Sequence, residues 1–155
     1  MRELNIQEVR VSTSGSSPVV VLQEAEGDRL LPIWMSAGGA AAIVSATEPV
    51  DPSRPCVHDL VADLLAALSG KLEQVRIVGY EDGQFYAELV VGGTVLPARP
   101  SDAIALALRS GCPILCADDV LEEAAVQLVP EVPAPPEDEV EKFREFLDSV
   151  NPDDF

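Results

Sequence analysis

Two hydrophobic periods run through this sequence, and they do not alternate. Segments with the alternating or β-branched pattern of strands come first, at 4–12, 18–22 and 29–34. Two segments with helical spacing follow, at 38–47 and 55–68. Strand-like runs then occupy 75–80, 85–91 and 95–98. A helix over 100–109, a short strand at 114–116 and a helix from Asp118 to about Gln127 complete the series. A doubly wound parallel sheet needs strand and helix in strict alternation, so that architecture is excluded. The order predicts an α+β fold, with a mostly antiparallel or mixed β-sheet packed with helices.

Local chemistry marks the boundaries. Glu26-Gly27-Asp28 and Asp82-Gly83 read as hairpin turns, and Ser14-Gly15-Ser16-Ser17 as a loop. Val57, Leu60, Val61, Leu64, Leu65 and Leu68 follow the i, i+3, i+4 rule, which predicts a helix with its apolar face on the core. Pro55 is placed to open that helix and Gly70 to close it. Pro100-Ser101-Asp102 opens the next one, with Ser101 expected as N-cap and Asp102 at the positive end of the helix dipole. The Ala, Ile and Leu residues that follow predict a buried helix.

The charge divides the chain. Residues 1–127 hold 8 basic and 18 acidic side chains, whereas 128–155 hold 2 and 9. The body therefore carries −10 and the tail −7 of a total of −17. Four prolines at 130, 133, 135 and 136 make 128–137 a Pro-rich linker. Beyond it, 138–155 reads as an acidic amphipathic helix and tail, with Val140, Phe143, Leu147 and Val150 on one face. The whole-chain charge argues against a passive nucleic-acid binder, which works through a basic surface.

A 47% hydrophobic composition excludes wholesale disorder. No apolar run approaches the roughly 18 residues a membrane helix needs, and the N-terminus shows no apolar signal core. Three cysteines, an odd number, fit a reducing cytoplasm. Cys112 and Cys116 flank a strand-like segment and read as core residues. A zinc site would need further ligands, and His58 is the sole histidine.

Familiar phosphate loops, nucleophile elbows and paired-histidine helices are absent. Three segments stand out. In Arg54-Pro55-Cys56-Val57-His58-Asp59-Leu60, His58 is open to acid/base work at a helix start. Adjacent residues do not face each other on a helix, so Asp59 serves equally well as a simple complement to the dipole. In Ala98-Arg99-Pro100-Ser101-Asp102-Ala103, Arg99 suits a phosphate clamp, or a structural ion pair with Asp102 or Asp59. In Leu31-Pro32-Ile33-Trp34-Met35-Ser36-Ala37-Gly38-Gly39-Ala40, Trp34 reads as core or interface. The small residues after it would admit close approach of another backbone.

Together these three segments resemble the bacterial bifunctional nuclease domain family, over roughly residues 3–127. The resemblance implies an α+β, usually oligomeric domain, with hydrolysis of RNA and DNA. It marks His58, Asp59 and Asp102 as catalytic candidates, and Arg54, Arg99 and Ser101 as substrate-binding candidates. Asp59 and Asp102 are the candidate ligands for a divalent metal, Mg²⁺ or Mn²⁺; no organic cofactor is expected. One departure is notable: the family usually carries a Glu-Ala pair after the Pro-Ile-Trp segment, and here Gly39 stands at the acidic position. The alternative is a non-catalytic oligomeric regulatory protein, a homodimer or larger, whose acidic tail docks on a protein partner or on the body.

Overall fold

A computed structural model describes residues 1–11 and 14–127. The expected linker and C-terminal helix, 128–155, lie outside the described residues. The elements run β1 (Arg2–Arg10), β2 (Val19–Glu24), β3 (Arg29–Trp34), α1 (Ala37–Ser45), α2 (Val57–Ala67), β4 (Leu72–Glu81), β5 (Gln84–Val91), β6 (Thr94–Ala98), α3 (Pro100–Ser110), β7 (Ile114–Cys116), α4 (Asp118–Ala124) and β8 (Val126–Gln127).

The strands form one eight-stranded sheet in the order β6-β5-β4-β7-β1-β2-β3-β8. Only β4 and β7 run parallel, with Val75 opposite Ile114 and Ile77 opposite Cys116; the other neighbours are antiparallel. The sheet is thus mixed and the fold α+β, as the element order predicts. Asp82 and Gly83 both have positive φ, +49° and +80°, the backbone that a two-residue hairpin with the twist of its strands requires.

Helix α3 is the centre of the packing. It lies on β4 and β5, and α1 and α2 pack on it in turn. Ser101 and the residues from Ala103 to Ala107 are all buried. Ile104 meets Leu4, Leu22, Leu31, Val75 and Ile77 in one core, closed at the far end by Val120 and Leu121 of α4. Cys116 is fully buried, and burial pushes its thiol up to about 12. Cys112 is half-buried, while Cys56 is exposed; all three are free. No helix among the described residues is long and apolar enough to cross a membrane.

Four sequence expectations are corrected. Helix α2 begins at Val57, not Pro55, because Cys56 takes the extended N-cap conformation and Asp59 accepts its backbone N–H. It closes through Ser69, whose φ is +56°, while Gly70 donates back to Leu65. The N-cap of α3 is Arg99 rather than Ser101, because Pro100 takes the first helical position, where its missing N–H costs nothing. Helix α4 stops at Ala124, and Asp118 is its first residue. Ala125 turns extended, and Val126 and Gln127 pair with Leu30 and Arg29 on the open edge of β3.

The fourth correction concerns the apolar face of α2. Val61 and Leu65 touch the core, but Val57, Leu60, Leu64 and Leu68 are exposed, at 66%, 55%, 56% and 73%. Because α2 rests on another helix rather than on the sheet, only one border of its apolar stripe is covered.

Candidate functional site

The N-terminal turns of α2 and α3 meet, and this brings His58 to Asp102. His58 is the second residue of α2 and Asp102 the third of α3. His58 Nε2 lies 2.9 Å from Asp102 Oδ1, and Arg99 Nε donates to Asp102 Oδ2 at 2.7 Å. The carboxyl of Asp102 is held below the usual carboxylate range, chiefly by Arg99 and further by His58, against its partial burial. An ionised carboxylate only accepts, so this bond places the imidazole proton on Nε2. In the neutral ring Nδ1 is then left as a lone-pair acceptor. The His58 side chain is 15% exposed and that of Arg99 is 76% exposed. A carboxylate that fixes the tautomer and direction of a histidine is one arrangement that suits acid/base catalysis, and it serves a structural ion pair as well.

Asp59 does not join this cluster. Its Oδ2 accepts the Cys56 backbone N–H at 3.0 Å and its Oδ1 accepts Arg109 Nε at 2.7 Å. Hydrogen bonding from Cys56, then from Arg109, holds its carboxyl at about 2. Arg109 is the residue that sequence reasoning missed. Its side chain is only 5% exposed, yet every N–H finds a partner. Besides Asp59, it donates to the carbonyls of Ala42 and Ala105, to Ser45 Oγ and to Cys56 Sγ. One guanidinium therefore ties α1, α2 and α3 together. Its only sequence signal is a basic residue in the last turn of a helix, which the dipole explains without any partner.

Arg54 stands apart, in the exposed loop at 51–55, where its backbone N–H donates to the Asp51 carbonyl and its side chain forms no ion pair among the described residues. Ser101 is 7% exposed and lines a cleft of about 580 Å³ between the end of β3, the β4–β5 hairpin and the start of α3. Arg99 lines the same cleft and so joins it to the His58–Asp102 pair.

Gly39 sits in the first turn of α1, its N–H capped by Ser36 Oγ at 3.1 Å. A Cβ there would stand 2.8 Å from Ser101 Cβ and 3.0 Å from Ser101 Oγ. The small residue is what lets α1 approach the start of α3. The same contact leaves no room for an acidic side chain unless the helices part.

These residues do not make a ready metal cage. Both oxygens of Asp59 and both of Asp102 are engaged by protein donors. Among the described residues no three His, Cys, Asp or Glu side chains converge as ligands.

Comparison with known proteins bears on the chain as a whole. The bifunctional nuclease domain matches residues 20–129, which begins within β2 and takes in every later described element. Two uncharacterized proteins of Mycobacterium tuberculosis, MT1877 and Rv1829, are each 48% identical over 162 residues. Those alignments cover 100% of this chain and 98% of each relative.

Proposed function

The chain belongs to the bifunctional nuclease domain family, and on that premise we propose that it hydrolyses phosphodiester bonds of RNA and DNA. The observation that carries this reading is the 2.9 Å contact between His58 and Asp102, with Arg99 on the other carboxylate oxygen. His58 is the acid/base, moving a proton through Nδ1 while Asp102 holds Nε2. Arg99, mostly exposed and joined to Asp102 only through Nε, turns its remaining N–H groups to a phosphate. Ser101 offers its hydroxyl from the cleft wall, and Arg54 is a second, outlying phosphate contact.

Asp59 acts indirectly, by fixing the start of α2 and with it His58. Each oxygen of Asp59 and Asp102 accepts one hydrogen bond and keeps a further lone pair, so Mg²⁺ or Mn²⁺ would be held by single carboxylates rather than by a cage. The three free cysteines suit a reducing cytoplasm.

The test is cleavage of end-labelled single-stranded RNA and DNA with Mg²⁺, with Mn²⁺ and with chelator. His58→Ala and Asp102→Asn are expected to lower turnover about a hundredfold or more, with unchanged circular dichroism. Cleavage that persists in both variants would sink the assignment.

The exposed stripe of α2 favours a second, compatible reading, a homodimer or higher oligomer. A self-complementary apolar patch is what a two-fold contact uses. In the non-catalytic form of this reading, the protein is a regulatory module, and residues 138–155 dock on a partner or on the body.

A further inference from the structure

Among the described residues only two aromatic side chains are largely exposed, Trp34 at 63% and Tyr86 at 47%. They belong to strands separated by four others in the sheet, yet both line the cleft that Arg99 and Ser101 enter. Its floor is firm: Ile33 and Phe85 are buried, and Phe85 packs against Tyr80 with ring centres 4.6 Å apart and planes tilted by 42°. Tyr86 is held as well, because its ring lies across the bare backbone of Gly79, its partner on β4. In a chain with 27 acidic residues, no carboxylate among the described residues lines this cleft, and Arg99 is the one charged group among those that do. Trp34 also borders a second cleft with Arg10, Ser16 and Ser17, so it stands on a ridge between two hollows.

We propose that this cleft is a subsite for an unpaired nucleotide, with the base stacked on Trp34 and Tyr86 and the phosphate at Arg99. Rigid, half-exposed aromatic rings beside a cation are how proteins grip single strands without reading sequence. Each stacked base strengthens binding by roughly tenfold or more. A duplex keeps its bases inside the stack and cannot use the rings. The proposal rests on the nucleic-acid reading above and names the form of substrate, a single strand. It also supplies an attraction that does not depend on net charge, which the chain as a whole lacks.

Trp34 is the only tryptophan, so its fluorescence reports on this position alone. The full-length protein is titrated in chelator with a short oligothymidylate, an abasic strand of equal length and a duplex. Saturable quenching by the oligothymidylate is expected, with the abasic strand and the duplex at least tenfold weaker. Tyr86→Leu is expected to remove most of the contrast between base-bearing and abasic strands, and Tyr86→Phe to retain it. Arg99→Gln is expected to weaken both strands alike.

Equal affinity for the abasic strand, equal affinity for the duplex, or an undiminished contrast in Tyr86→Leu would overturn the proposal. Cleavage followed in parallel separates the two ideas. Turnover without base-dependent binding overturns the stacking subsite alone, and base-dependent binding without turnover overturns the nuclease reading alone.

Discussion

Arg109 shows how far one side chain can determine the geometry of a site it does not enter. Replacing it with Met keeps the aliphatic bulk but removes all five donors, so that Asp59 keeps only the Cys56 N–H and Ala42 only the Ser45 hydroxyl. A loss of about 3 kcal/mol is expected in denaturant unfolding, from the hydrogen bonds removed between three helices. The acid limb of stability should change with it. Asp59 has a folded pKa of about 2, below its ordinary value near 4. Its contribution is therefore complete above pH 4 and is lost as pH falls towards 2. Melting temperatures across that window should fall more steeply for the natural protein than for Arg109→Met. Gly39→Ala is the converse experiment, since it adds one methyl where Ser101 already stands. A cost of about 1–3 kcal/mol is expected, together with reduced activity, because the start of α3 carries Arg99 and Asp102. A variant as stable and active as the parent would show that the close approach of α1 to α3 is dispensable.

At the level of elements, local sequence chemistry identified most strands and helices, and longer-range competition decided the remainder. The Asp82-Gly83 hairpin and the buried α3 were legible because the cause is local: two positive φ angles in one case, an unbroken apolar run in the other. The β8 pairing was not legible. A two-residue strand has no pattern of its own, and only the open edge of β3 makes it preferable to another helical turn. The candidate site divides the same way. His58, Asp102 and Arg99 could be singled out as residues, but their contact spans 44 positions and depends on how α2 meets α3. Nor could spacing reveal which border of the α2 stripe would be covered. That stripe gives its own prediction. Leu64→Asp, on a side chain already 56% exposed, should leave the melting temperature within a degree or two. It should also shift light-scattering mass towards the monomer if copies join through α2. A mass unaffected by the change would place self-association elsewhere.

For the whole molecule, electrostatics set the problem. A chain of −17 repels the polymer that its family is named for cutting. Removing residues 128–155 leaves the body at −10 and keeps β8, the last described strand, intact. This truncation is expected to bind single strands more tightly at low salt and to lose that advantage as salt rises, because screening acts on the repulsion. An affinity gain that is independent of salt would point instead to a tail that covers the cleft by contact.

The borders of the sheet carry a further consequence, for solubility. One border strand, β6, contains Pro97, and at the other end β8 covers β3 only at Arg29 and Leu30, with Pro32 two residues further on. A proline has no N–H to offer an incoming strand. At both margins, where a β-rich protein is most exposed to edge-to-edge polymerisation, the ladder is interrupted before a neighbour can extend it. Copies that crowd together are thereby steered away from fibrous aggregation, and the helical layer is left as the surface through which they can meet.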